Sequence, residues 1–149
     1  MREPAIARWP GTVEPGSVQV SQSSTLDLYA TAMKLAGTAL PEGRAIDGND
    51  IGPMLRGEAG DRVASPPFFY YGPNELHAVR NGPWKLHIRT SSQTGMQYFE
   101  GRTPLLFNLE TDPSEQYDLS AQYPEIVEEL MALIKTHKKA VEKEGSFYR

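Results

Sequence analysis

The stretch Leu76-His77-Ala78-Val79-Arg80-Asn81-Gly82-Pro83-Trp84-Lys85-Leu86-His87-Ile88-Arg89 decides the fold. Two apolar runs, Leu76–Arg80 and Trp84–Arg89, flank Asn81-Gly82-Pro83. Asn-Gly between such runs signals a β-hairpin, because both residues tolerate positive φ. In the second run Trp84, Leu86 and Ile88 alternate with Lys85, His87 and Arg89. That period of two predicts one buried face and one wet face, with Lys85 and His87 on the wet side. Working outward, Phe68–Tyr71 is aromatic and strand-prone, and Leu105–Leu109 reads as a fourth strand ended by the turn around Asp112-Pro113. Between the hairpin and that strand lies the polar segment Thr90–Thr103, which is long for a hairpin connection and therefore either mobile or functional.

A sheet with one apolar face needs a cover, and the C-terminal segment supplies it. Pro124 suits the first helical position, where its missing N–H costs nothing. Ile126, Leu130, Leu133, Ile134, His137 and Val141 then recur at helical spacing, with Val127 and Met131 broadening the stripe. Glu125, Glu128, Glu129, Lys135 and Lys138 take the opposite face. Burial of each large apolar side chain contributes about 1.5–3 kcal/mol, so the stripe is expected to dock on the antiparallel sheet. The predicted fold class is thus α+β, a four-stranded antiparallel sheet with a long helix packed on it, over residues 61–149.

Residues 1–60 read differently. Ala5–Trp9 is a short apolar run closed by Pro10-Gly11 and predicts a strand. Ser24 suits a helix N-cap, Asp27 lies in the positive first turn, and Gly37 sits where a helix ends. Leu26, Ala30, Met33 and Gly37 share one face of that helix, widened by Leu28, Ala32 and Leu35, which predicts burial along one side. Asp47-Gly48 and Asn49-Asp50 are turn signals, and Pro53-Met54-Leu55 opens a single helical turn. Asp61–Pro67 is the expected connector.

The net charge of −4 and the pI near 5.4 argue against a nucleic-acid partner, which needs clustered Lys and Arg. Lys135, Lys138 and Lys139 are interleaved with Glu128, Glu129, Glu142 and Glu144 and read as a solvated helix face. No cysteine is present, so there is no disulfide, thiolate metal site or cysteine nucleophile. The first residues lack the apolar core of a signal peptide, and no apolar run reaches the length of a membrane span, so the compartment is left open. The spacing Asp47-Gly48-Asn49-Asp50 lacks the ligand register of an EF-hand loop and reads as turn chemistry.

Four segments in order resemble sulfatases of the arylsulfatase A and N-acetylgalactosamine-6-sulfatase kind. They are Met1–Gly11; Ser24-Thr25-Leu26-Asp27-Leu28 with Leu35-Ala36-Gly37; and Arg44–Gly48 with Pro53–Gly57. The fourth combines Phe68–Tyr71, Ala78-Val79-Arg80, Trp84-Lys85-Leu86, Leu106–Leu109 and Asp112–Glu115. The resemblance implies that residues 1–60 are the strand-helix tail of an alkaline-phosphatase-like α/β sulfatase domain, and that 61–149 form the smaller C-terminal domain. It also implies a formylglycine nucleophile, made from Cys or Ser in Cys/Ser-x-Pro/Ala-x-Arg, and a Ca²⁺ held by Asp and Asn oxygens, both in the full-length enzyme. No serine in this sequence stands in that pattern. In the family the metal-ligating aspartates and the sulfate contacts precede the stretch that Arg2-Glu3-Pro4-Ala5 resembles, so the resemblance carries no catalytic or metal residue onto a position here, and this chain alone is expected to be inactive.

The partners so implied are an N-terminal sulfatase domain and a sulfate-ester substrate. Family members are usually exported to the periplasm, the medium or the lysosome. An unpaired Ala5–Trp9 edge would favour self-association. Because loops of the family's C-terminal domain help wall the substrate pocket, Tyr71 and His77 are the candidate substrate-binding residues. His87 reads as a wet-face residue, His137 as a core-edge histidine, and Arg80 as one half of a structural ion pair with a nearby carboxylate. The competing reading is a stand-alone, non-catalytic glycan-binding or oligomerisation module.

Overall fold

The computed structural model describes residues 3–43, 46–58, 66–72, 75–90 and 102–144. Most of the Asp61–Pro67 connector and of the Thr90–Thr103 segment lies outside these residues, as do Arg44, Ala45, Pro73 and Asn74. The chain divides into two compact units, Met1–Ser65 and Pro66–Arg149.

The second unit carries the sheet. Its strands are β1 (Phe68–Tyr71), β2 (Leu76–Asn81), β3 (Trp84–His87) and β4 (Leu105–Asn108). They pair antiparallel in the order β1-β2-β3-β4. The hairpin forms where the sequence places it, but its turn is Gly82-Pro83. Asn81 stays in the ladder opposite Trp84, and only Gly82 takes a positive φ, 56°. Glycine carries that conformation without a Cβ penalty, and proline's fixed φ follows it. A bulge between Tyr70 and Tyr71 shifts the β1–β2 register, so Tyr71 faces Leu76.

The long helix, Pro124–Glu144, packs on one face of this sheet. Leu130 and Ile134 join Leu76, Val79, Leu86 and Leu106 in one buried cluster, flanked by Phe69, Trp84, Ile88, Leu119, Ile126, Val127 and Leu133. This is the docking the alternation and the helical stripe require. Met131 and Val141, assigned to that stripe, are exposed and stand outside the contact.

The opposite face departs from expectation. Lys85 is buried, 7% exposed, and His87 is half-buried, although both fall on the side predicted to be wet. The register explains it. Lys85 lies opposite Phe107 and His87 opposite Leu105, whose side chains are buried on that same side of the pleat, so both faces of the sheet are covered.

In the first unit the helix runs Asp27–Leu35, with Gly37 following at φ 69°. The Leu26 amide donates to Ser24 Oγ at 3.2 Å, and Asp27 Oδ2 accepts from the Ser24 amide at 2.6 Å. The helix N-cap is Leu26, which makes no side-chain cap bond; Ser24, the expected cap, instead closes the turn two residues earlier through its exchange with Leu26 and Asp27. The expected buried face is not formed. Leu26, Leu28, Tyr29 and Leu35 are exposed, and the buried residues of the helix are Asp27, Ala30 and Thr31. Ala5–Trp9 forms no strand among the described residues, and Ile6 is 98% exposed. A strand exists only through its ladder, and this unit offers no partner edge among the described residues. Gly52–Leu55 is the predicted single helical turn, opened by Pro53.

Polar contacts hold this unit together instead. Asp27 Oδ1 accepts from the Asn49 amide at 2.8 Å. Thr31 Oγ1 donates to the Asp27 carbonyl at 2.7 Å and accepts from the Ile51 amide at 3.0 Å. The segment approaches so closely that a Cβ on Gly48 would run into the Leu26 carbonyl. Only glycine permits that approach.

Candidate functional site

The two residues singled out by sequence, Tyr71 and His77, flank the β1–β2 connection. Tyr71 is 51% exposed, and its hydroxyl is 2.9 Å from Nε2 of His137 on the long helix. His137 stacks on Phe69 with ring centroids 3.7 Å apart, which confirms it as a core-edge residue. The Tyr71 phenol is therefore oriented by the helix while about half of the residue stays open to solvent. His77 is half-buried and packs against Gly72, where a Cβ would come within 2.5 Å of Nε2. Its carbonyl accepts from the Ile88 and Arg89 amides at 2.8 and 3.2 Å, tying it into the sheet. Tyr71 and His77 thus stand on either side of the β1–β2 connection, and Gly72, lacking a Cβ, makes room for the imidazole.

A second constellation was not legible in the sequence. Glu115 accepts from Lys85 Nζ at 2.6 Å and is bonded to His87 Nε2 at 2.6 Å. Lys85 Nζ also lies 4.6 Å from the centroid of the Tyr70 ring, and the His87 ring meets Phe107 edge-on at 5.7 Å. Burial works to raise the Glu115 carboxyl, but the hydrogen bonds and charges of His87 and Lys85 outweigh it and hold it at about 2. Burial likewise pushes the Tyr70 hydroxyl up, against the pull of Arg80 beside it. Among the described residues the expected Arg80–carboxylate pair does not form. Arg80 Nε donates to the Gly82 carbonyl at 3.0 Å, and the carboxylate goes to Lys85 and His87. Alternation brings Lys85 and His87 to one face, but their acceptor lies about thirty residues away on a turn, a distance that local pattern does not bridge.

Among the described residues no three His, Asp or Glu side chains gather where a cation would sit. Asp27 spends its oxygens on the Ser24 and Asn49 amides, and Asp50 Oδ1 accepts from the Gly52 amide at 2.8 Å. With those oxygens accepting from backbone amides, Asp27 and Asp50 act as turn and cap residues.

Comparison with known proteins fits this geometry. The family model of the C-terminal region of aryl-sulfatase matches residues 64–148, more than half of the chain. The N-acetylgalactosamine-6-sulfatase of Canis lupus familiaris is 34% identical over 166 residues, covering 95% of this chain and 31% of that protein. Arylsulfatase A of Bos taurus is 35% identical over 151 residues, covering 91% of this chain and 29% of its own. Among solved structures, one from work on glycosaminoglycan metabolism by Bacteroides thetaiotaomicron superimposes with a TM-score of 0.70 at 29% identity. It covers 89% of this chain and 28% of that chain. The PsFucS1 sulfatase from Pseudoalteromonas sp. shares the fold, with a TM-score of 0.78 at 23% identity over 93% of this chain and 30% of its own. The chain thus spans about a third of the length of the curated relatives it matches. With its four-stranded antiparallel sheet, its covering helix and this matched sequence, the chain belongs to the sulfatase family, as a C-terminal region.

Proposed function

We propose that this chain is the C-terminal portion of a sulfuric ester hydrolase, serving as scaffold and as part of the wall of its substrate pocket. Sulfate-ester cleavage is assigned to a preceding α/β domain that carries the formylglycine and the Ca²⁺. The observation that carries the reading is the match of residues 64–148 to the aryl-sulfatase C-terminal region, continued by relatives that align with 95% of this chain. The sequence supports the division of labour. It contains neither a cysteine nor a serine in the Cys/Ser-x-Pro/Ala-x-Arg pattern. The exposed apolar side of the Asp27–Leu35 helix and the unpaired Ala5–Trp9 segment are surfaces such a domain would cover. Without that cover, the same surfaces favour self-association of the chain.

Within this reading Tyr71 and His77 face the substrate. Tyr71 offers an open ring with a hydroxyl fixed by His137, an arrangement suited to a sugar or aryl group bearing the sulfate. The experiment has two arms. The purified chain, given an aryl sulfate and Ca²⁺, is expected to show no turnover, and turnover above background would overturn the assignment. The reading frame upstream of Met1 is expected to encode Cys/Ser-x-Pro/Ala-x-Arg. A frame that begins at Met1 behind its own promoter would favour an independent binding module instead.

A further inference from the structure

Among the described residues Glu115 is the one non-glycine residue with a positive φ, 56°. That conformation is disfavoured for any residue with a Cβ and persists only where other contacts enforce it. Its amide donates to the Asp112 carbonyl at 3.2 Å within the turn, and its carboxylate reaches out of the turn to Lys85 Nζ and His87 Nε2, each at 2.6 Å. We propose that Glu115 is a charge-operated latch, fastening the Asp112–Asp118 turn to the face of the sheet turned away from the long helix. The reading is independent of the proposed enzymatic role.

The groups that face the latch come from all four strands and from the turn. Lys85 and His87 stand on β3; Tyr70 stands on β1 with Lys85 Nζ against its ring; Arg80 stands on β2 beside Tyr70. Phe107 on β4 closes the His87 side with an apolar ring. On the turn, Asp112 Oδ2 accepts from the Gln116 and Tyr117 amides at 2.7 and 2.9 Å, bonds internal to the turn that order it without holding it to the sheet. Attachment at the far end is separate. Asp118 Oδ1 accepts from the Leu106 amide at 3.0 Å, and the Leu119 amide donates to the Leu106 carbonyl at 2.8 Å. Those two bonds make a hinge. Between the hinge and β4, the Glu115 carboxylate reaches from the turn to two side chains of β3.

The sign of the pH response follows. A latched carboxylate held at about 2 takes up a proton less readily than one in an opened turn near 4.5. The latch is therefore fully engaged above about pH 5, weakens as pH falls below that, and is released below about pH 2.

Amide hydrogen exchange on the full chain tests this. At pH 7, Glu115→Gln is expected to speed exchange in residues 110–117 by about ten-fold or more, with β2, β3 and the long helix unchanged. Unchanged protection in 110–117, or equal acceleration everywhere, would overturn the proposal. A second measurement needs no variant. A carbon-13 titration of the wild-type chain should show the Glu115 carboxyl titrating near 2, with exchange in 110–117 rising over the same range. A midpoint near 4.5 would overturn it equally.

Discussion

The two units are held together by opposite means. Around the sheet, Leu76, Val79, Leu86, Leu106, Leu130 and Ile134 are all 5% exposed or less. At about 1.5–3 kcal/mol for each such side chain, this cluster alone contributes on the order of 10 kcal/mol, comparable to the net stability of a small domain. The Asp27–Leu35 helix buries an aspartate, an alanine and a threonine, and leaves four large apolar side chains, from Leu26 to Leu35, in water. Its ties are hydrogen bonds worth about 1 kcal/mol net each, more where the carboxylate accepts. The sheet unit closes its own core, while the first unit keeps an apolar side suited to something beyond itself.

The contrast breaks most severely at Leu130. It is 1% exposed at the centre of the helix–sheet contact, so Leu130→Asp puts an unpaired carboxylate into an apolar core. The cost, about 4 kcal/mol or more, should unfold the sheet unit. Loss of near-ultraviolet circular dichroism from its aromatic residues would register this. A wild-type melting curve would refute the packing scheme. Next in size is Asp27→Ala, which strands the Ser24 and Asn49 amides and should cost about 2–3 kcal/mol, confined to the first unit. Thermal unfolding followed by hydrogen exchange separates the two units; equal loss in the sheet unit would contradict the division. Glu115→Gln comes third. Its stability deficit, about 2 kcal/mol at pH 7, should shrink between pH 5 and 2, because the wild-type carboxylate is itself protonated there. Parallel melting-temperature profiles across that range would show that the carboxylate charge is not the source.

Periodicity made the sheet unit readable. Alternation in Trp84–Ile88, the turn at Gly82 and the helical spacing from Ile126 to Ile134 each report a face buried within the chain itself. Alternation could not say that the second face is also covered, because it marks polar residues without naming their partners. Lys85 looks solvent-bound until Glu115 arrives from a turn thirty residues on. The same limit explains the first unit. The apolar spacing of Leu26, Leu28 and Leu35 is real, but spacing identifies a face to be covered, not what covers it. Of the candidate site, Tyr71 and His77 were proposed from family resemblance. The anchor of Tyr71 on His137 depends on a β1-to-helix contact that no local pattern encodes.

The smallest effect on stability is the most informative about that open face. Leu28 and Leu35 are 60% and 51% exposed, so replacing both with serine removes little buried area. The melting temperature of the chain should move by no more than the equivalent of about 0.5 kcal/mol for each substitution. If the surface exists to meet a preceding domain, the same pair should abolish self-association of the isolated chain, measured by sedimentation velocity. It should also weaken recovery of activity when the chain is fused behind a sulfatase α/β domain. A double variant that melts far below wild type would mean that these side chains already serve a core within the chain. Wild-type self-association in the variant would move the adhesive surface to Ala5–Trp9, where Ile6→Asp makes the corresponding test.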